Sequence, residues 1–196
     1  QEGYYEEAVE SYTNAIILKP NTAELYNKRG LAYLNTGEIN KAKSDFETAI
    51  FKKPEFIDAY NNLGLAYQNL GEPLKAISEW QNIIDKKPDY ANAYFNIGNH
   101  YFRKEDYHLA IEYFSEAVRL NPGDAEAFRQ RAASYKYIGE IEKAIEDYKD
   151  AVDANSYYAE AFFELAELQF TKGNFSDAID NYTDAIELAS YPDAVF

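Results

Sequence analysis

One offset organises this chain: small, aromatic and polar residues return every 34 positions. Repetition of that length restricts a sequence to stacked copies of one supersecondary unit. Six alanines lie on the offset, at Ala8, Ala42, Ala76, Ala110, Ala144 and Ala178. Four residues after each stands a large aromatic, at Tyr12, Phe46, Trp80, Phe114, Tyr148 and Tyr182. A second aromatic column, Tyr26, Tyr60, Tyr94, Phe128, Phe162 and Phe196, is followed four on by Gly30, Gly64, Gly98, Ala132 and Ala166. A third runs through Tyr33, Tyr67, Tyr101 and Tyr135 and lapses at Gln169.

Within one unit the apolar and small positions advance by three and four, as in Tyr60, Leu63, Gly64, Tyr67 and then Ala76, Ile77, Trp80, Ile83, Ile84. That is helical period. Gly37, Gly71, Gly139 and Gly173 fall between the two stripes, where a left-handed cap ends a first helix, and Glu105 takes that place in the unit at 91–124. Pro20, Pro54, Pro88 and Pro122 follow the second stripe and close the second helix, with Ser156 and Ser190 in their stead later on. Pro73 suits the opening of a second helix, where its missing donor costs little. Each unit is therefore a helical hairpin, and a hairpin completes its interior only by stacking on the next. The division into one repeat domain follows: a second helix alone at 1–22, complete units at 23–56, 57–90, 91–124, 125–158 and 159–192, and the opening of another at 193–196. Arg29 and Arg131 occupy the column of Leu63, and the expectation is that their stems pack while their heads reach water.

These columns resemble the tetratricopeptide repeat, most fully in 57–90 with Tyr60, Leu63, Gly64, Tyr67, Ala76, Trp80 and Pro88, and departing at Ile83 where alanine is usual. The resemblance covers essentially the whole chain. It implies an all-α fold, a right-handed α-solenoid (superhelix) of stacked antiparallel helix-turn-helix hairpins, with first helices lining a concave side. It also implies a scaffold or adaptor that binds a peptide or protein segment there. The positions expected on that wall are Asn27 and Lys28, then Asn61 and Asn62, then Asn92, Phe95, Asn96, Asn99, Phe102 and Arg103. Arg129, Gln130, Lys136 and Tyr137 continue it, and Phe163 and Glu164 end it. Asn62, Asn96 and Gln130 would form an amide ladder able to grip a peptide backbone. The phenylalanines and Tyr137 would offer apolar pockets, and Arg103, Arg129 and Lys136 a basic spot for a carboxylate. The lysine and asparagine pattern with which some members hold chaperone C-termini is not met, since Asn61 and Leu65, or Asn27 and Leu31, stand at its sites.

Composition removes several alternatives. The chain has no cysteine, which excludes disulfides and thiolate chemistry. Its net charge of −15 argues against a nucleic-acid partner, because phosphate binding needs a basic stripe. Acid is unevenly spread: residues 1–98 carry 10 basic and 14 acidic side chains, residues 99–196 carry 9 and 20. No run of residues is long and apolar enough for membrane insertion, and nothing fixes a compartment. His100 and His108 lack metal-ligand spacing, no glycine loop cradles a phosphate, and no facing acid pair is evident, so neither catalysis nor a cofactor is expected. Two other roles fit the same sequence: self-association through exposed terminal helices, where Tyr5, Ala8 and Tyr12 lack a preceding helix, and a substrate-recruiting arm of a larger enzyme.

Overall fold

The computed structural model describes residues 2–190, with side chains from Tyr4 onward. Among these, eleven helices account for nearly all the chain: α1 (Glu2–Leu18), α2 (Ala23–Asn35), α3 (Ile39–Lys52), α4 (Ile57–Asn69), α5 (Pro73–Lys86), α6 (Ala91–Arg103), α7 (Tyr107–Leu120), α8 (Ala125–Tyr137), α9 (Ile141–Ala154), α10 (Ala159–Thr171) and α11 (Phe175–Ser190). The expected opening of a further unit at 193–196, with Phe196, lies outside the described residues. The helices gather into two compact units, Gln1–Ala93 and Tyr94–Phe196, the division falling within α6. In the first, α1 packs on α2, α2 on α3, α3 on α4 and α4 on α5, while α2 also touches α4. In the second, α7 packs on α8, α8 on α9, α9 on α10 and α10 on α11. Each unit is thus a stack of helical hairpins, and the fold is the all-helical solenoid type that the columns implied.

The turns repeat as faithfully as the helices. After each first helix the chain enters the left-handed region, with φ between 74° and 83° at the four turn glycines and 61° at Glu105. The next residue then donates its N–H back to the carbonyl of the third tyrosine column: Glu38 to Tyr33 (2.8 Å), Glu72 to Tyr67 (2.9 Å), Asp106 to Tyr101 (3.0 Å) and Glu140 to Tyr135 (3.0 Å). This bond closes the helix end and aims the second helix back along the first. Asn174 makes it to Gln169 at 2.9 Å, so the lapse of tyrosine there leaves the turn intact, the acceptor being backbone. Asp106 and Asp124 cap α7 and α8, each accepting from the backbone N–H three residues on. Where prolines follow, α1, α3, α5 and α7 stop two residues short of them. With serine in that column, α9 still stops two residues short of Ser156, whereas α11 runs through Ser190.

Helix pairs lock where the glycine column meets the large rings. A methyl at Gly30 or Gly98 would come within 2.6 or 2.7 Å of ring carbons of Phe46 or Phe114, and at Gly64 it would overlap the Trp80 indole. Phe46, Trp80 and Phe114 are fully buried, and Trp80 Nε1 donates to the Asn61 carbonyl at 3.3 Å. Ala132 holds the same column beside Tyr148, in a core shared with Ala144, Ala151, Val152, Ala161 and Leu165.

The heads of Arg29 and Arg131 are held by carboxylates, while 18% and 17% of the two side chains stay exposed. Arg29 Nε and Nη2 each donate to Asp45 at 2.7 Å, and Nη1 to Thr13 Oγ1 at 3.2 Å. Arg131 repeats this 102 residues later, with both bonds to Asp147 at 2.6 Å and one to Ser115 Oγ at 3.3 Å. The aspartate side chains are 8% and 6% exposed. A hydroxyl 16 residues before the arginine and an aspartate 16 after it thus tie each first helix to the second helices on both sides. The other complete units carry Leu63 with Glu79, Ile97 with Tyr113 and Leu165 with Asn181 in those columns. Arginine and aspartate therefore enter together, a signal that was present in the repeat alignment.

Candidate functional site

Successive first helices meet along a seam whose partners are 35 residues apart. Counted from its start, the fifth residue of one helix faces the sixth of the next. In unit 1 Asn62 Nδ2 donates to Asn27 Oδ1 at 2.9 Å across α2 and α4. Asn27, Asn61 and Asn62 are 7%, 9% and 8% exposed. They were expected to face neither neighbour. The stagger of the helices instead draws them into the seam, where each must be bonded to be buried. Lys28 on α2 and Asn92 at the start of α6 are exposed. Near the hairpin ends Tyr26 and Tyr60 donate to the carbonyls of Pro20 and Pro54 at 3.0 and 3.2 Å, which gives the aromatic column its hydroxyls in this unit.

In unit 2 the equivalent seam pair is Arg129 Nη1 and Glu164 Oε1, 3.4 Å apart. Arg129 also grips Glu126 in the first turn of α8 through Nε and Nη2, at 2.9 and 3.0 Å. Gln130 Nε2 donates to the same carboxylate at 2.7 Å, and the Tyr158 hydroxyl bonds to it from the following loop. Burial raises the Glu126 pKa, yet the bonds from Arg129, Tyr158 and Gln130 outweigh it and hold the carboxyl below its ordinary value. Arg129 is pushed up by its bond to Glu126, against the effect of burial. Unit 1 has a simpler version, in which Tyr90 donates to Asp58 at 3.1 Å and its own pKa is pushed up to about 12, chiefly by burial and then by that carboxylate. Arg129 and Gln130, expected to greet a guest, are thus bonded to neighbouring carboxylates. Arg103 and Lys136 are the exposed members of the expected basic spot.

The aromatic positions divide. Phe95 turns inward, tilted against Phe114 with ring centres 5.8 Å apart, beside Val118 and Ala127. Asn96 and Asn99 are half-buried next to it. Phe102 lies edge-on to Tyr107 (5.5 Å) and to Tyr137 (5.7 Å), while Tyr107 and Tyr137 stack at 4.5 Å with planes 4° apart. Tyr137 is nevertheless 63% exposed, and Phe163 and Phe170 on α10 are 51% and 56% exposed. Phe163 rests edge-on against Tyr182 and Phe170 against Phe175. Tyr107 and Phe175, at the starts of second helices, complete this aromatic rim and were not singled out from sequence. Their shared column, Tyr107, Ile141 and Phe175, sits just past the turn and was legible as apolar.

Among the described residues no group of His, Asp and Glu is gathered to hold a metal ion, and no helix is long and apolar enough to cross a membrane. His100 is buried edge-on to Tyr101, and burial, with Lys104 and Arg103, lowers its pKa and favours the neutral ring.

Stacked 34-residue hairpins with small-residue seams define a helical repeat protein of the interaction-scaffold class. The chain belongs to the tetratricopeptide repeat family: the family model described as tetratricopeptide repeat matches residues 27–83, 61–125 and 129–195, and one described as TPR repeat matches 1–37. Solved structures of similar fold include PilF of Pseudomonas aeruginosa (21% identical, 85% of this chain and 76% of that one, TM-score 0.78). MamA from residue 41 onward, from Desulfovibrio magneticus RS-1, is 22% identical over 88% of this chain and 97% of its own, with TM-score 0.71. YrrB, described as a TPR protein with an unusual peptide-binding site, is 21% identical over 94% of each chain, with TM-score 0.64. No curated protein matches the sequence.

Proposed function

We propose that this chain is a non-catalytic adaptor whose second unit holds a peptide or protein segment against its first helices. The observation that carries the reading is the exposure of Tyr137 and Phe170, rings on successive first helices that would otherwise be kept from water. Phe102 and Tyr107 brace Tyr137, and Phe175 braces Phe170, so both rings are presented at low entropic cost. Lys136, exposed and next to Tyr137 in sequence, favours a segment that pairs apolar anchors with an acidic side chain or a terminal carboxylate. The seam amides of unit 1 support the first helices rather than gripping the guest.

Panning a displayed random-peptide library against the 196-residue chain tests the reading. Selected peptides should share an aromatic or aliphatic anchor beside an acid, and Tyr137→Ala and Phe170→Ala should each weaken them about tenfold. Binders indifferent to both substitutions would refute it. A second reading, self-association through α1, rests on Tyr4, Ile17 and Leu18, which are 77%, 73% and 81% exposed. Sedimentation over a hundredfold concentration range checks it, a constant monomer counting against it.

A further inference from the structure

The aromatic cluster at Tyr137 is closed behind and open in front. Its three rings come from the end of α6, the start of α7 and the end of α8. Tyr107 lies flat against one face of Tyr137, with ring centres 4.5 Å and planes 4° apart, and Phe102 meets the two rings at 71° and 68°. At that spacing the two stacked faces touch, so no guest can slide between them. Tyr137 is 63% exposed even so, which makes its opposite face the free one. Helices α9, α10 and α11 follow it, so this exposure belongs to the middle of the stack.

Such a cluster offers a flat, rigid platform. A long flexible anchor needs walls on several sides, whereas a flat ring needs one face and loses little freedom on landing. The flat guests a peptide can supply are a guanidinium, an aromatic ring and a proline. Lys136, exposed and next to Tyr137 in sequence, repels the first. Between the other two the repeat decides. A polyproline II helix advances about 9 Å per three-residue turn, and neighbouring helices pack about 8–10 Å apart. Helices α8 and α10 are such neighbours, joined by Arg129 and Glu164. A segment in that conformation presents every third side chain to the wall, one to each first helix, and an aromatic guest gains nothing from this match. The same column of the repeat holds Phe102 on α6, Lys136 on α8 and Phe170 on α10, which puts a cation in the row of rings. Resting on the reading that unit 2 holds a segment against its first helices, we infer that this segment is proline-containing and adopts polyproline II. A proline lies on Tyr137, an apolar residue three positions away lies on Phe170, and an acidic residue beside the proline meets Lys136.

A labelled probe, Leu-Pro-Asp-Pro-Ala-Pro-Leu, carries a leucine three residues to each side of its central proline and so can lie in either direction. It is titrated into the 196-residue chain by fluorescence anisotropy. It should bind about tenfold more tightly than a version with alanine for the central proline. The same loss should follow when one alanine is inserted between that proline and each leucine. Tyr137→Phe should keep the preference for proline. Tyr137→Leu, which keeps an apolar side chain and loses the flat face, should abolish it while circular dichroism stays that of the native chain. Lys136→Gln should weaken the probe about threefold, the size of one exposed charge pair. Failure of the probe to bind, equal binding of the alanine version, indifference to spacing, or a proline preference that survives Tyr137→Leu would overturn the inference. If peptides selected from the random library still depend on Tyr137 and Phe170 in that event, the unit remains a peptide holder of another specificity; if none do, both proposals fall. A dimer that Tyr137→Ala converts to monomer would make a second copy the occupant. Probe binding that appears only after residues 191–196 are removed would give the place to the chain itself. Either result also overturns the inference.

Discussion

At the scale of single residues, the paired Arg131 and Asp147 show how a polar link can sit inside a small-and-aromatic seam. Removing one partner of a buried ion pair costs more than the pair contributes, because the other charge is stranded. Asp147→Asn should therefore destabilise unit 2 by about 3 kcal/mol in urea unfolding. The chain itself offers a neutral alternative in Leu165 and Asn181, so adding Arg131→Leu to that variant should restore most of the loss. Glu105 is a different case: a side chain held at φ 61° where the other turns use glycine. Glu105→Gly should add about 1 kcal/mol, seen as a shifted urea midpoint at constant slope. Glu126 gives a pH signature. Its folded pKa is depressed below 4.5, so its contribution is present above that value and is lost as the pH falls through the folded pKa. The stability gap between the native chain and Glu126→Gln should be full at pH 6 and shrink below pH 4.5. These residues were the least legible from sequence, because a period announces where a side chain stands and not which partner it finds. Asn27 and Asn62 looked like open wall until the 35-residue stagger placed them face to face.

At the scale of elements, helices and turns were almost wholly legible, since each rests on local chemistry: a period, a proline that cannot extend a helix, a residue that accepts positive φ. The contact between Gly64 and Trp80 was legible too, as two columns 16 apart, but its tightness was not. Gly64→Ala drives a methyl into the indole and should cost about 2 kcal/mol. Combining it with Trp80→Tyr, the pairing that Ala132 and Tyr148 already use, should recover a measurable part of that in thermal melts. The length of α11 marks the limit of the local rules: serine fills the proline column at Ser156 and at Ser190, yet α9 stops short of it and α11 runs through it.

At the scale of the whole chain, acid dominates, with a net charge of −15. Like charges on a folded chain repel unless screened, and the Debye length falls from about 20 Å or more at low salt to under 5 Å near 0.5 M. Raising sodium chloride to about 0.5 M should therefore lift the melting temperature by a few degrees, chiefly through the acid-rich α10 and α11. One side chain turns this into a finer measurement. Trp80 is the only indole, it is sealed from water, and it belongs wholly to residues 1–93. Its emission is thus a lamp lit in one room: a shift to the red on heating dates the opening of that half, while far-ultraviolet ellipticity averages over both. If the two curves part company, the halves come undone on separate schedules, and every substitution proposed beyond residue 93 can be read against a reporter that belongs to the other half.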